Sequence, residues 1–169
     1  MNNANRNIKY KLTGETKVYD GVTLYHIKAL ASFGDVKAGD FGGWIESEKN
    51  LSQNDNAMVY DNAMVYGNAM VYSGATVSGH AIVSGHAIVS GRAIVSGRAI
   101  VSGRAIVSGR AMVYVNAQVS GHAMVFDNAI VSGRAMVFDN AMVFDNAMVF
   151  GNARVHGITR VSGNAQVIY

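Results

Sequence analysis

A chain of 169 residues, half of them hydrophobic, with no proline and no cysteine, makes one folded unit of ordinary size; disorder and a disulfide-stapled scaffold are excluded. The formal net charge of +3 is modest, but its layout divides the chain: every lysine lies at or before Lys49, and every arginine except Arg6 lies within a six-residue repeat that begins at Asn56. No apolar run approaches the roughly 20 residues of a membrane span, and Met1-Asn2-Asn3-Ala4-Asn5-Arg6 lacks the apolar core of a signal peptide. No membrane partner is expected, and the expected location is the cytoplasm.

Residues 1 to about 8 are polar and expected to fray. From Lys9 to Leu30 come two β-prone runs, Tyr10-Lys11-Leu12 and Val22-Thr23-Leu24-Tyr25-His26-Ile27, separated by Asp20-Gly21, which favours a turn. A hairpin is the simplest reading. Its expected task is to cover the open end of the repeat, with Phe33, Val36, Phe41, Trp44, Ile45 and Leu51 supplying the apolar surface.

From Asn56 to Val167 one six-residue unit, Ala-x-Val-x-x-x, recurs without insertion or deletion from Ala57-Met58-Val59 to Ala165-Gln166-Val167. Valine holds its place in all nineteen units, and alanine in all but one, where Thr159 stands. Side chains alternate along a strand, so Ala and Val face one side and the residue between them the other. Each unit is thus a short strand followed by a turn. Pairs such as Asp61-Asn62, Gly67-Asn68, Gly79-His80, Gly91-Arg92 and Asp139-Asn140 supply residues that tolerate positive φ. One such unit cannot bury its own apolar face and gains a core only by stacking, which defines a solenoid.

Six residues per side, with small and aliphatic residues inward, resembles the hexapeptide-repeat left-handed β-helix. The resemblance implies an all-β fold: a single-stranded left-handed parallel β-helix, a triangular solenoid of 18 residues per coil, closed by a small N-terminal β cap. A flattened solenoid of twelve residues per coil is the alternative that the residues leave open. The expected division is a head and entry coil over residues 1–50 and the repeat over 51–169. The passage from Phe33 to Ser52, with Gly42-Gly43-Trp44-Ile45-Glu46 at its centre and the Asn-Ala-x-Val-Tyr-Gly units behind it, also resembles a group of largely uncharacterised bacterial and prophage proteins. That resemblance implies a phage or prophage setting and brings no agreed activity.

Three outward columns arise from the period. The position between Ala and Val is apolar in most units, with Met58, Met64 and Met70 leading to Ile82, Ile88, Ile94, Ile100, Ile106, Met112, Met124, Ile130, Met136, Met142 and Met148 and with Thr76 and Gln118 among them. Apolar patches on all faces of a rod mark contact surfaces, so a homo-oligomer, a trimer or an end-to-end dimer, is expected. After each valine come tyrosines, serines and phenylalanines, and Phe126 and Phe144 are eighteen apart and should stack. At the corners stand His80, His86, Arg92, Arg98, Arg104, Arg110, His122 and Arg134. An eighteen-residue coil puts Arg92 over Arg110, His80 over Arg98, and His86 over Arg104 over His122. Like charges so stacked destabilise a ladder, which asks for solvent, an acidic protein or an anionic ligand. The charge forms a belt around the rod, whereas a nucleic-acid duplex reads more naturally along a stripe.

Val167 is followed by Ile168 and Tyr169, so the last coil edge is expected to be sticky, and either to fray or to be covered by another subunit. Catalysis is the competing class, because many hexapeptide β-helices resemble one another as acyltransferases with a histidine base near a subunit boundary. The histidines at 26, 80, 86, 122 and 156 show no acidic neighbour in the sequence, and the uninterrupted units leave no room for site-forming loops. No catalytic residue, cofactor or metal is therefore assigned, and acyl transfer between subunits stays as the alternative.

Overall fold

The computed structural model describes residues 8–169; the segment 1–7, where fraying is expected and a signal peptide is not, lies outside the described residues. The expected hairpin is present. Strand β1 (Tyr10–Tyr19) pairs antiparallel with β2 (Val22–Ala29), with Tyr19 opposite Val22. Asp20 and Gly21 carry φ of 51° and 74°, the two positive values that a two-residue hairpin turn compatible with strand twist requires.

β2 then pairs antiparallel with β3 (Phe41–Ile45), and β3 pairs in parallel with the repeat strand Met64–Val65. The head therefore extends one wall of the solenoid. Trp44 lies opposite Met64 and Leu51 opposite Val71, a spacing of twenty residues (44 to 64, 51 to 71) where later coils use eighteen. The longer entry coil accommodates the single 3₁₀ turn at Glu48–Asn50, and Asn50, fully buried, donates from Nδ2 to the carbonyls of Gly67 at 3.1 Å and Ala69 at 2.9 Å.

Beyond the head, short strands visit three parallel sheets in rotation, and each pairs with the strand eighteen residues on, as in Ile94 with Met112, Ile100 with Gln118 and Ile106 with Met124. The sheets hold nine, seven and six strands. This register excludes the flattened coil of twelve residues. Between coils the ladder is regular: Ile94 N–H donates to Ala111 at 2.9 Å, Ser96 to Val113 at 2.9 Å and Arg98 to Val115 at 2.6 Å.

The alanine and valine columns make the expected buried wall from Ala57 to Val155. One hydrophobic cluster continues from Tyr10, Ile27, Ile45 and Leu51 into these columns, so head and solenoid share a core. In the outermost coil, which has a neighbour on one side only, Thr159 and Ala165 are exposed and Val167 half-buried. Met58, whose alternation placed it outward, is fully buried instead because the head packs over it. Gly42 of β3 makes the room: a Cβ there would lie 2.5 Å from Met58 Cε and 2.6 Å from Ile27 Cγ1. No helix among the described residues is long and apolar enough to cross a membrane.

The turns bear out the pattern read from the pairs, with positive φ at Asp61, Gly67, Gly79 and Asp139. Val115 occupies the same place with φ 66° and is 46 % exposed. A β-branched residue in the left-handed region is strained. Val115→Gly is expected to stabilise the chain by about 1 kcal/mol, whereas Ala111→Leu, which crowds the fully buried wall, is expected to cost about 1–3 kcal/mol. Chemical denaturation of both variants beside the parent checks the two signs.

Candidate functional site: the cationic corners

With the coil length settled, the corner residues fall into three columns. One carries Asn68, His86, Arg104, His122 and Asn140; the second Arg92, Arg110, Asn128, Asn146 and Asn164; the third Asn62, His80, Arg98, Asn116 and Arg134. The three stacks expected from the sequence are thus present: Arg92 with Arg110, His80 with Arg98, and His86 with Arg104 and His122. All eight belt residues, His80, His86, Arg92, Arg98, Arg104, Arg110, His122 and Arg134, are exposed. Among the described residues none of them makes an ion pair.

The contrast with asparagine in the same columns is informative. Asn128 Nδ2 donates to Asn146 Oδ1 at 3.2 Å, and Asn146 to Asn164 at 3.3 Å, so amides satisfy one another up the rod. At the upper edge of the belt, Asn68 Nδ2 lies 3.1 Å from His86 Nε2. Stacked guanidiniums have five donors each and no acceptor. They must turn to solvent or to an anion supplied from outside.

The outward apolar column is half-buried along most of its length, because neighbours in adjacent coils flank each side chain. Ile94 is the most open of the isoleucines in this column at 40 % exposure, while Ile82, Ile88, Ile100, Ile106, Met112, Met124, Met136, Met142 and Met148 are intermediate. Phe126 and Phe144 stack as expected, with centroids 5.0 Å apart and planes 2° from parallel. Arginines outside the belt lie over aromatic rings: Arg160 over Phe144 at 5.2 Å and Arg154 over Phe138 at 5.3 Å. Ile168 and Tyr169 are exposed.

Two constellations in the head escaped the sequence reading because their partners are far apart in the chain. His26 is the first. Its ring stacks on Trp44 at 4.5 Å and on Phe41 at 5.0 Å, and Nδ1 lies 2.8 Å from Glu15 Oε2. One histidine therefore does have an acidic neighbour, contrary to the expectation from sequence. Its Nε2, however, lies 2.9 Å from the Gly42 carbonyl, which only an N–H can satisfy, so the ring offers no free lone pair to a substrate. Lys17 and Lys28 lie over Trp44 and Phe41 at 4.4 and 4.8 Å, so a lysine flanks each end of the three-ring stack.

Lys9 is the second. Its Nζ donates to the carbonyls of Ala57 at 2.6 Å and Asp55 at 2.9 Å, lies 3.7 Å from Asp55 Oδ1, and sits over the Phe33 ring. It forms one wall of a cleft of about 970 Å³ between head and first coil, with Glu48, Gln53 and Tyr72. Burial pushes the Lys9 amine down to about 8, against the opposing pull of Asp55. Burial, reinforced by Glu48, pushes the neighbouring Tyr10 hydroxyl upward; that hydroxyl donates to the Leu51 carbonyl at 2.6 Å.

These features define a parallel β-solenoid with an N-terminal strand head and a belt of cations at its corners. Residues 63–79, 117–133 and 141–157 match the family model described as the YdcK beta solenoid repeat, so the chain carries YdcK-type solenoid repeats, as the resemblance to bacterial hexapeptide-like proteins led one to expect. The chain is also similar to a protein of Escherichia coli (strain K12) named "Uncharacterized acetyltransferase YdcK", with 40 % identity over 60 residues, covering 31 % of this chain and 18 % of that protein. It spans less than a fifth of the length of that relative.

Lys9 makes pH a probe of how the head is tied down. Its amine has a lower folded than unfolded value, so between about pH 8 and the usual lysine range the unfolded chain binds more protons. Stability from this group is present above that range and is lost as pH falls through about 8. Tyr10, shifted the other way, opposes the trend above about pH 10. From pH 7.5 to about 9.5 the melting temperature of the parent is expected to rise relative to that of Lys9→Met; parallel profiles would show that Lys9 is not the source.

Proposed function

We propose that this solenoid is a non-catalytic binding scaffold, assembled as a homo-oligomer, whose belt of arginines and histidines engages an acidic protein. The observation that carries the proposal is the belt itself: eight exposed arginine and histidine corners, seven of them stacked on one another in consecutive coils with Arg92 directly over Arg110, and no ion pair from any of them among the described residues. Such stacking is unfavourable in isolation and becomes favourable when a partner of opposite sign arrives. The half-buried Ile and Met columns support side-by-side packing of copies. The resemblance of the head passage and repeat to prophage proteins supports a phage or prophage setting. A cytoplasmic location remains part of this reading.

Acyl transfer is the second reading, and the printed name of the Escherichia coli relative favours it. Against it stand the uninterrupted register of eighteen from the strand at Met58 to that at Gln166 and the doubly engaged His26 ring. In that reading, incubation with acetyl-coenzyme A and an amine or hydroxyl acceptor releases free thiol, and substitution of a corner histidine abolishes the release.

Charge reversal separates the two. Arg92→Glu, Arg98→Glu, Arg104→Glu and Arg110→Glu together are expected to abolish capture of an acidic protein with the melting temperature preserved, and capture by the parent to fall steeply with salt. Unchanged capture would sink the belt reading. Light scattering on a sizing column is expected to give a defined multiple of the 17.9 kDa chain mass; a monomer at all concentrations would remove the oligomer from the proposal.

A further inference from the structure

Every corner turns on a residue with positive φ, and the backbone N–H of that residue takes no part in the coil-to-coil ladder. At both ends of the solenoid a carboxylate from the preceding coil accepts it. Glu46 accepts from Gly67 at 2.7 Å, Asp55 from Ser73 at 2.5 Å and Asp61 from Gly79 at 3.0 Å. Further along, Asp127 accepts from Asp145 at 3.4 Å, Asp139 from Gly157 at 3.0 Å and Asp145 from Gly163 at 2.9 Å.

Between these ends, from Gly85 to Asp139, the residue one coil earlier is glycine, serine or valine, and the turn N–H finds no acceptor among the described residues. The cations track this gap. Arg92, Arg98, Arg104, Arg110 and Arg134 each come directly after such an uncapped residue, as do His86 and His122. Where the protein caps the N–H with its own carboxylate, the next residue is Asn68, Gly74, Asn146, Ile158 or Asn164, with His80 beside the capped Gly79 the exception; the uncapped Val115, Asp127, Asp139 and Gly151 are followed by asparagine and carry no cation.

We infer that each uncapped turn followed by an arginine or histidine is a seat for a carboxylate supplied from outside, with the backbone N–H and the adjacent guanidinium or imidazole as its two donors. The belt then recognises a protein segment rich in aspartate and glutamate, whose side chains occupy the places that the chain's own Asp61, Asp139 and Asp145 fill elsewhere. Charge-assisted hydrogen bonds of this kind are short and strong, and two donors on one carboxylate fix its orientation. A buried backbone donor without an acceptor is costly, but these turns are at the surface, so water holds the seat until a partner displaces it. This inference rests on the proposed belt and adds the atoms that read the partner.

The test uses the full chain and a short poly-glutamate peptide, with tripolyphosphate as the comparison anion. Gly79→Asp with Gly85→Asp places carboxylates on the N–H groups of Gly97 and Gly103 while keeping every arginine; the chain itself carries aspartate at this turn position with φ of 55–61° at Asp61, Asp127, Asp139 and Asp145. Asn56→Asp with Asn146→Asp adds the same charge at corners whose coil neighbours, Gly74 and Asn128 with Asn164, are not belt residues, and fills no seat. Calorimetry is expected to show the self-capped variant binding the peptide about tenfold more weakly than the charge-matched one. In the unaltered chain labelled with ¹⁵N-glycine, the peptide is expected to move amide protons of the belt glycines downfield and to leave Gly157 and Gly163 in place. Equal weakening in both variants, or binding without any glycine shift, overturns the seats and leaves a purely electrostatic belt. No binding by the parent sinks belt and seats together, and tighter binding of tripolyphosphate than of the peptide overturns the carboxylate assignment.

Discussion

The coil-to-coil hydrogen-bond ladder, with its register of eighteen residues, is the constraint on which everything else in this protein depends. It aligns each residue with its equivalent one turn along, so a choice made at one position is repeated at strand spacing, roughly 4.8 Å, up the rod. Valine over valine gives a dry column. Asparagine over asparagine gives an amide ladder, and Phe126 over Phe144 an aromatic stack. Arginine over arginine gives repulsion. The belt is therefore a local electrostatic tension written onto a scaffold rigid enough to hold it.

The head solves a different problem. A first coil has no preceding coil, and its strand edge and apolar interior need covering. β3 supplies the missing strand on one wall, Asn50 supplies donors to two carbonyls on another, and Lys9 and Tyr10 bond carbonyls of the first coil and its approach. Asn50 and Lys9 use a side chain where later coils use backbone. Desolvation of the lysine and the tyrosine is the cost of that substitution, offset by the hydrogen bonds they make.

Function on a solenoid resides in its surface columns, since the interior is filled by alanine and valine. The near-identical Ser-Gly-Arg-Ala-Ile-Val units of the belt are the signature of tandem duplication, which multiplies a binding turn as readily as it multiplies a neutral one. What marks these turns as more than copies is the placement of carboxylate and arginine: every arginine of the belt comes after a turn N–H without a carboxylate cap, and no capped turn carries one. The similarity to the YdcK repeat, over residues 63–79, 117–133 and 141–157, lies in these coils.

Much of this was legible in the sequence because a repeat makes local chemistry global. Period two within the unit placed Ala and Val inward, Asp and Gly placed the turns, and Asp20-Gly21 placed the hairpin, each a matter of neighbouring residues. The coil length was not local. Twelve and eighteen residues both suit the same unit, and only the pairing of strands in three dimensions decided between them. The same holds for the burial of Met58 under Gly42, the contact of Glu15 with His26, and the carboxylates that cap some turns and leave others open. These depend on which distant residues the fold brings within hydrogen-bonding reach, and no single unit contains that information.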